Sequence, residues 1–161
     1  MADSLVRFYD DMTLAEARDL LGTMVAEGVT CPCCSQYARV YKRKLNRTMV
    51  RALAKIARAT QTETFVHGPT VLGGKEGGTA GELGKLAYFE LVEEMNAQRE
   101  DGGRSGYWRM TDRGRAFLEG KAKVWKYAHV YNGKVINRSG EAVGVAEVAP
   151  EFNYADLMAG V

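Results

Sequence analysis

A chain of 161 residues that is 46% hydrophobic and 26% charged has room for one sizeable core and the composition of an ordinary soluble globular protein. No apolar run approaches the ~20 residues that span a bilayer, and Met1-Ala2-Asp3-Ser4 lacks the basic and apolar regions of a signal peptide. Three cysteines confined to Cys31–Cys34 argue against a disulfide framework, so a cytoplasmic location is expected.

The net charge of +2 conceals an asymmetry. The first 27 residues lean acidic, with Asp10, Asp11, Glu16, Asp19 and Glu27, and so do the last 21, with Glu141, Glu147, Glu151 and Asp156. From Gly28 to Thr62 there is no acidic residue at all, while Arg39, Lys42, Arg43, Lys44, Arg47, Arg51, Lys55 and Arg58 fall in that stretch. A basic block inside a nearly neutral chain is the electrostatic footprint expected of contact with a polyanion.

In chain order, Thr13-Leu14-Ala15-Glu16 fits a capping box. Leu14, Ala17, Leu21, Met24 and Val25 follow at helical spacing and Gly28 supplies a stop, which predicts a helix over about 13–27. A loop carrying the cysteines comes next. A second helix is predicted over about 45–59, with Leu45, Met49, Leu53 and Ile56 on one side and Arg47, Arg51, Lys55 and Arg58 on the other. The segment Gly68–Gly78 is rich in glycine and reads as a flexible loop or an interrupted short helix. Thr79 starts a predicted helix over about 79–90, with Leu83, Leu86 and Ala87 inward.

The later part of 91–98 reads as a strand and Glu100–Gly106 as a polar turn. Tyr107–Met110 is a second strand whose aromatic and Met residues alternate with polar ones. Thr111 or Asp112 then caps a short helix over about 112–120 that presents Phe117 and Leu118. Val124–Val130 alternates as a strand, and Asn132-Gly133 is the strongest hairpin signal in the chain. Gly140 and Gly144 flank further Val-rich strand candidates, Pro150 breaks the run, and Phe152–Met158 forms a short amphipathic tail. There is no internal repeat. Trp108, Phe117, Trp125, Tyr127 and Tyr131 are expected in the core or at an interface.

Three segments bear on chemistry. The cations from Arg39 to Arg58 would hold phosphates, unless they form a solvated face balanced by the acidic ends of the chain. Cys31 and Cys34 form a C-x-x-C pair with Pro32 inside it, a spacing that suits a zinc knuckle, so a structural zinc is the one cofactor suggested. The pair is only half of such a site. Cys33, His67 and His129 are the other soft donors, and reduced thiols packed under the first helix are the alternative. Gly73–Thr79 does not have the order of a phosphate loop, and no nucleophile–base or paired-carboxylate motif is present, so an enzyme is not expected.

Two resemblances follow from these residues. Tyr107-Trp108-Arg109-Met110-Thr111-Asp112-Arg113-Gly114 is similar to the last wing strand and following turn of bacterial regulators of the multiple-antibiotic-resistance type. Together with Cys31-Pro32-x-Cys34, the basic helix and Phe152-Asn153-Tyr154, the chain resembles a group of small bacteriophage proteins, a likeness that implies no activity.

The element order reads as a single α+β domain, with an added N-terminal helix and cysteine loop over 1–44 and a C-terminal hairpin and tail over 121–161, and the regulator resemblance implies that the middle, about 45–120, is a winged helix-turn-helix core. That resemblance also implies, often, homodimeric DNA binding, and the whole chain then reads as a phage-type winged-helix protein that binds double-stranded DNA in a transcriptional or replication accessory role. Arg39–Arg58 would then meet phosphates, Thr79–Lys85 the groove, and Arg104 on the wing the flanking backbone. The outward residues near the predicted groove helix are Thr79, Glu82 and Lys85, and the wing carries Arg99 and Arg104 beside Glu100 and Asp101. That surface is poor in base-reading side chains, so a protein-interaction module that engages a host protein is the alternative.

Overall fold

The computed structural model describes residues 11–61, 64–73, 81–96, 100–103 and 105–159. Thr79, the glycines at 74, 77 and 78, and the two arginines expected on a wing, Arg99 and Arg104, lie outside the described residues. The described residues form a mixed α+β structure of seven helices and three small antiparallel sheets.

Helix α1 (Leu14–Met24) begins where expected. Thr13 accepts the Glu16 N–H, and the Glu16 carboxylate accepts the Thr13 N–H at 2.8 Å, closing a capping box. Its packing is narrower than the sequence pattern suggests. Ala17 is buried, and so is Val25 just past the helix, whereas Leu14 is 64% exposed. The helix leads into a small hairpin, β1 (Val29–Thr30) with β2 (Tyr37–Ala38), and the Val25 carbonyl accepts from Val40 N–H, so this narrow side is the one that packs.

The chain then enters β3 (Tyr41–Lys44) and passes directly into α2 (Arg47–Ala59). Asn46 caps α2, its Oδ1 accepting the Met49 N–H at 3.0 Å. Met49, Val50, Ala52, Leu53, Ala54, Ile56 and Ala57 are all buried, and α2 packs against every later helix and β6. The expected apolar side of this helix is therefore the spine of the core, and Leu45 joins it from just before the helix.

Past α2 come β4 (Val66–His67), the single turn α3 (Gly68–Val71), α4 (Glu82–Ala87), β5 (Val92–Glu94) and β6 (Tyr107–Met110). The sheet order is β4-β6-β5, with Val66 opposite Trp108 and Val92 opposite Met110. Leu83 and Leu86 from α4, Leu91 from the turn after it and Val92 from β5 pack with Trp108 and Met110 on the α2 spine.

Helix α5 (Asp112–Leu118) starts at Thr111, whose Oγ1 accepts the Gly114 N–H at 3.0 Å and donates to the Glu90 carbonyl at 2.6 Å. Gly114 sits so close to the preceding loop that a Cβ would lie 2.1 Å from the Leu91 carbonyl oxygen. The Thr-x-x-Gly spacing is thereby explained: the Thr fixes the helix start, and the Gly lets the loop backbone pass. Both serve to bury Phe117 and Leu118.

The last sheet joins β7 (Val124–Tyr131), β8 (Lys134–Val143) and the much earlier β3, in the order β3-β7-β8. Asn132 and Gly133 both have positive φ, as a tight hairpin turn requires. β8 continues past Gly140 to Val143, and the residues expected to form a further strand after Gly144 instead make one helical turn, α6 (Val145–Val148). Glu147 accepts the Gly144 N–H at 2.8 Å, a local cap that outweighs the strand preference of the valines. The tail forms α7 (Tyr154–Ala159), with Phe152 and Tyr154 packed on the core. No helix of the described residues is long and apolar enough to cross a membrane.

Replacing Gly114 by Ala forces the Leu91 backbone to move and is expected to cost about 2 kcal/mol, lowering the thermal midpoint by about 5 °C. Asn46→Ala removes a cap at about 1 kcal/mol. Calorimetry of the two variants checks both, and an unchanged midpoint for Gly114→Ala would contradict the close approach.

Candidate nucleic-acid interface

The cations of the acid-free stretch divide into two sets. The first lies on and beside β3, all four residues of which are exposed. Among the described residues β3 pairs only with β7, which leaves it an edge strand with its long side chains in water. The Arg39 and Arg43 guanidinium groups lie 5.4 Å and 5.0 Å from the Tyr41 ring centre, and the Lys42 ammonium 4.2 Å from that of Tyr127. Among the described residues no ion pair engages Arg39, Lys42, Arg43 or Lys44.

The second set lies on α2. Arg47, Arg51, Lys55 and Arg58 are all exposed, on the side of the helix away from the core. The C-terminal segment has come to meet them. Glu151 pairs with Arg47 Nε at 3.0 Å and with Arg51 Nη2 at 3.6 Å. Lys55 and Arg58 border a cleft of about 540 Å³ whose other wall includes Val71 and Met158. The acidic end of the chain thus partly balances the basic helix, as the alternative reading of the sequence allowed. Both Glu151 pairs are well exposed, so each contributes only about 0–1 kcal/mol and leaves the arginines exchangeable.

The residues expected near a groove are less available. Lys85 is bonded to Glu82 at 2.9 Å within α4, and Thr79 and Arg104 lie outside the described residues.

A feature that the sequence pattern assigns to core or interface emerges on β7. Burial alternates along the strand: Val124, Ala128 and Val130 are buried, while Trp125, Tyr127, His129 and Tyr131 take the alternate positions on the outward face. Trp125 is 48% exposed. Every residue paired with these four rings is neutral or cationic: Lys44 opposite Tyr127 and Lys42 opposite His129 on β3, and Ala142, Ser139, Asn137 and Lys134 on β8.

Gly140 makes room for this face. Its φ is +82°, it sits in an irregularity of the ladder, and a Cβ there would lie 2.8 Å from Tyr127 Cδ2, so the Tyr127 ring rests over the β8 backbone. His129 Nε2 is 2.6 Å from Ser139 Oγ on the same face. The signal was present in the sequence as a ring at every second position from 125 to 131, but only the pairing with β3 brings lysines beside it.

Cys31, Cys33 and Cys34 occupy the turn between β1 and β2 as free thiols. The turn is closed by Cys31 N–H donating to the Gln36 carbonyl at 2.8 Å and Ser35 N–H donating to the Cys31 carbonyl at 2.9 Å. Hydrogen bonds from the backbone of Cys33, then from that of Cys34 and the Cys34 thiol, hold the Cys31 thiol below its ordinary pKa. Partial desolvation and the nearby Cys31 charge push Cys33 up. Cys31 and Cys34 thus share one tight turn, and a four-ligand zinc site there would need two further donors. Neither histidine joins them: His67 Nδ1 lies 2.6 Å from Thr70 Oγ1, and His129 is bonded on the β7–β8 face. Among the described residues no group of three or more His, Cys, Asp or Glu is placed to hold a metal ion.

Comparison with known protein families, with curated proteins and with solved structures finds no match to this chain.

The opposite shifts of Cys31 and Cys33 set a pH order. Thiolate is the reactive form, so alkylation at Cys31 should persist to lower pH than alkylation at Cys33, measured by peptide mapping after brief iodoacetamide pulses. Equal pH profiles at the two positions would contradict the hydrogen-bonded turn.

Proposed function

We propose that this protein has a winged-helix core and binds double-stranded DNA through its phosphate backbone. The element order α2-β4-α3-α4-β5-β6, with its three-stranded sheet in the order β4-β6-β5, supports the winged-helix reading, since helices followed by a strand, a turn and a returning strand build a wing. The observation that carries the binding reading is the cationic strip. Arg39, Lys42, Arg43, Lys44, Lys55 and Arg58 are engaged by no ion pair among the described residues, and the strip follows the chain from β3 into α2.

The chemistry of the strip is that of phosphate neutralisation. Each Lys or Arg that meets a phosphate releases condensed counterions, so affinity falls as salt rises. Such contacts position a protein on a duplex and carry no sequence information themselves. With Lys85 held by Glu82, α4 offers little base-reading capacity, and binding with weak sequence preference follows.

Roughly six phosphate contacts correspond to a slope of about −5 for log affinity against log salt. Neutralising Lys42, Arg43 and Lys44 together should flatten that slope by about 2 to 3 and weaken retardation of a mixed-sequence duplex. Glu151→Gln frees Arg47 and Arg51 and should tighten binding about 2- to 5-fold if α2 takes part. Absence of duplex retardation at low salt, or an unchanged slope in the triple variant, would sink the proposal. A stoichiometric protein partner that survives nuclease treatment, with no retardation, would support the interaction-module reading in its place.

A further inference from the structure

We propose that the outward face of the β3-β7-β8 sheet binds single-stranded nucleic acid, with Trp125, Tyr127 and Tyr131 stacking on bases and Lys42 and Lys44 taking the backbone. The proposal rests on the sheet rather than on the α2 helix and shares only the two lysines with the duplex reading, so it stands or falls separately.

Four observations carry it. First, the four rings occupy alternate positions of the central strand. Outward side chains recur every second residue, about 6.8 Å apart, so the row from Trp125 to Tyr131 extends about 20 Å. Second, the rings are accessible. Trp125 is 48% exposed, and the other three are intermediate rather than buried, unlike Trp108 in β6, which is 7% exposed. Third, the face is electrostatically suited to an anion. Lys42 and Lys44 flank the rings on one side, Lys134 stands at the hairpin end, and no carboxylate is paired opposite any ring. Glu141, in the adjacent irregularity of β8, is itself met by Lys126 at 3.8 Å.

Fourth, Gly140 lets the Tyr127 ring rest over the β8 backbone, and the Lys42 ammonium lies 4.2 Å from that ring's centre. A cation held beside an aromatic ring is the pairing that places a phosphate next to a stacked base. A duplex does not fit this description. Its bases keep their faces inside the stack, whereas unpaired bases present a π-face to any ring that meets them. Stacking tolerates every base, so little sequence preference is expected. Ser139 and Asn137 beside the rings supply hydrogen-bonding groups for base edges.

The test uses the full chain and two unstructured probes of about 15 nucleotides, oligothymidylate and oligouridylate. Each is titrated at low salt by fluorescence anisotropy and by quenching of tryptophan emission. Binding of either probe with quenching is expected, and the stronger of the two identifies DNA or RNA as the strand taken. Trp125→Ala and Tyr127→Ala should each weaken it about 10-fold, while Trp125→Phe retains most of the affinity because a ring remains. Retardation of duplex DNA should be unaffected by Trp125→Ala, which separates failure of this proposal from failure of the duplex reading.

Circular dichroism checks that the variants fold, as the exposure of Trp125 leads one to expect. Absence of binding to both probes overturns the proposal, and so does full affinity in Trp125→Ala. A dimer that Trp125→Ala dissociates, with neither probe bound, would also overturn it and assign the face to a second copy of the chain.

Discussion

Helix α2 must satisfy two opposed environments along its length, and the rest of the structure is arranged around that constraint. Its apolar side carries Met49, Val50, Leu53 and Ile56 at essentially no exposure, and later elements close over it one after another: α4, then β6 and α5, then α6 and the tail. Its other side carries a cation at nearly every turn and cannot be covered by apolar groups without desolvating charge. The chain accordingly places an acidic residue, Glu151, and the rim of a cleft on that side, leaving the arginines hydrated.

The same division explains why charge and shape part company. The small sheet β4-β6-β5 and the short helix α4 look inward, joined to the spine by Leu83, Leu86, Trp108 and Met110. Their charged groups, and those beside them, engage one another: Lys85 with Glu82, Arg109 with Glu93, Arg113 with Glu90. Arg39, Lys42, Arg43 and Lys44, which no ion pair engages among the described residues, lie on and beside β3 just before α2. Pairing of β3 with β7 then sets two lysines beside a row of rings contributed by a distant part of the chain.

Much of this was legible in the sequence because it is local. The Thr13–Glu16 capping box, the two-sided α2, the Thr111 start of α5 and the Asn132-Gly133 turn are each decided by residues within a few positions of one another, and each stands where expected. β3 was not legible. Tyr41-Lys42-Arg43-Lys44 has no apolar alternation, since an edge strand with exposed side chains has no face to mark, and its partner lies far along the chain. The valines after Gly144 misled for the opposite reason: their strand preference is real, but Glu147 capping Gly144 decides the turn. The cysteine pair was recognisable by spacing, and the structure adds the backbone bonds to the Cys31 sulfur. The rings of β7 were seen individually; their significance depends on β3, which was not.

The distance between β3 and its partner also bears on how the protein is made. The β7–β8 hairpin is closed by its own tight turn and can form within microseconds, whereas Lys42 meets His129 only after a long loop has closed. During synthesis β3 therefore emerges well before the strand it will join, with an unpaired backbone edge of the kind that recruits other chains. Consecutive cations on such an edge oppose association with another copy of themselves. Until β7 covers that edge, Lys42, Arg43 and Lys44 set like charge against like on it.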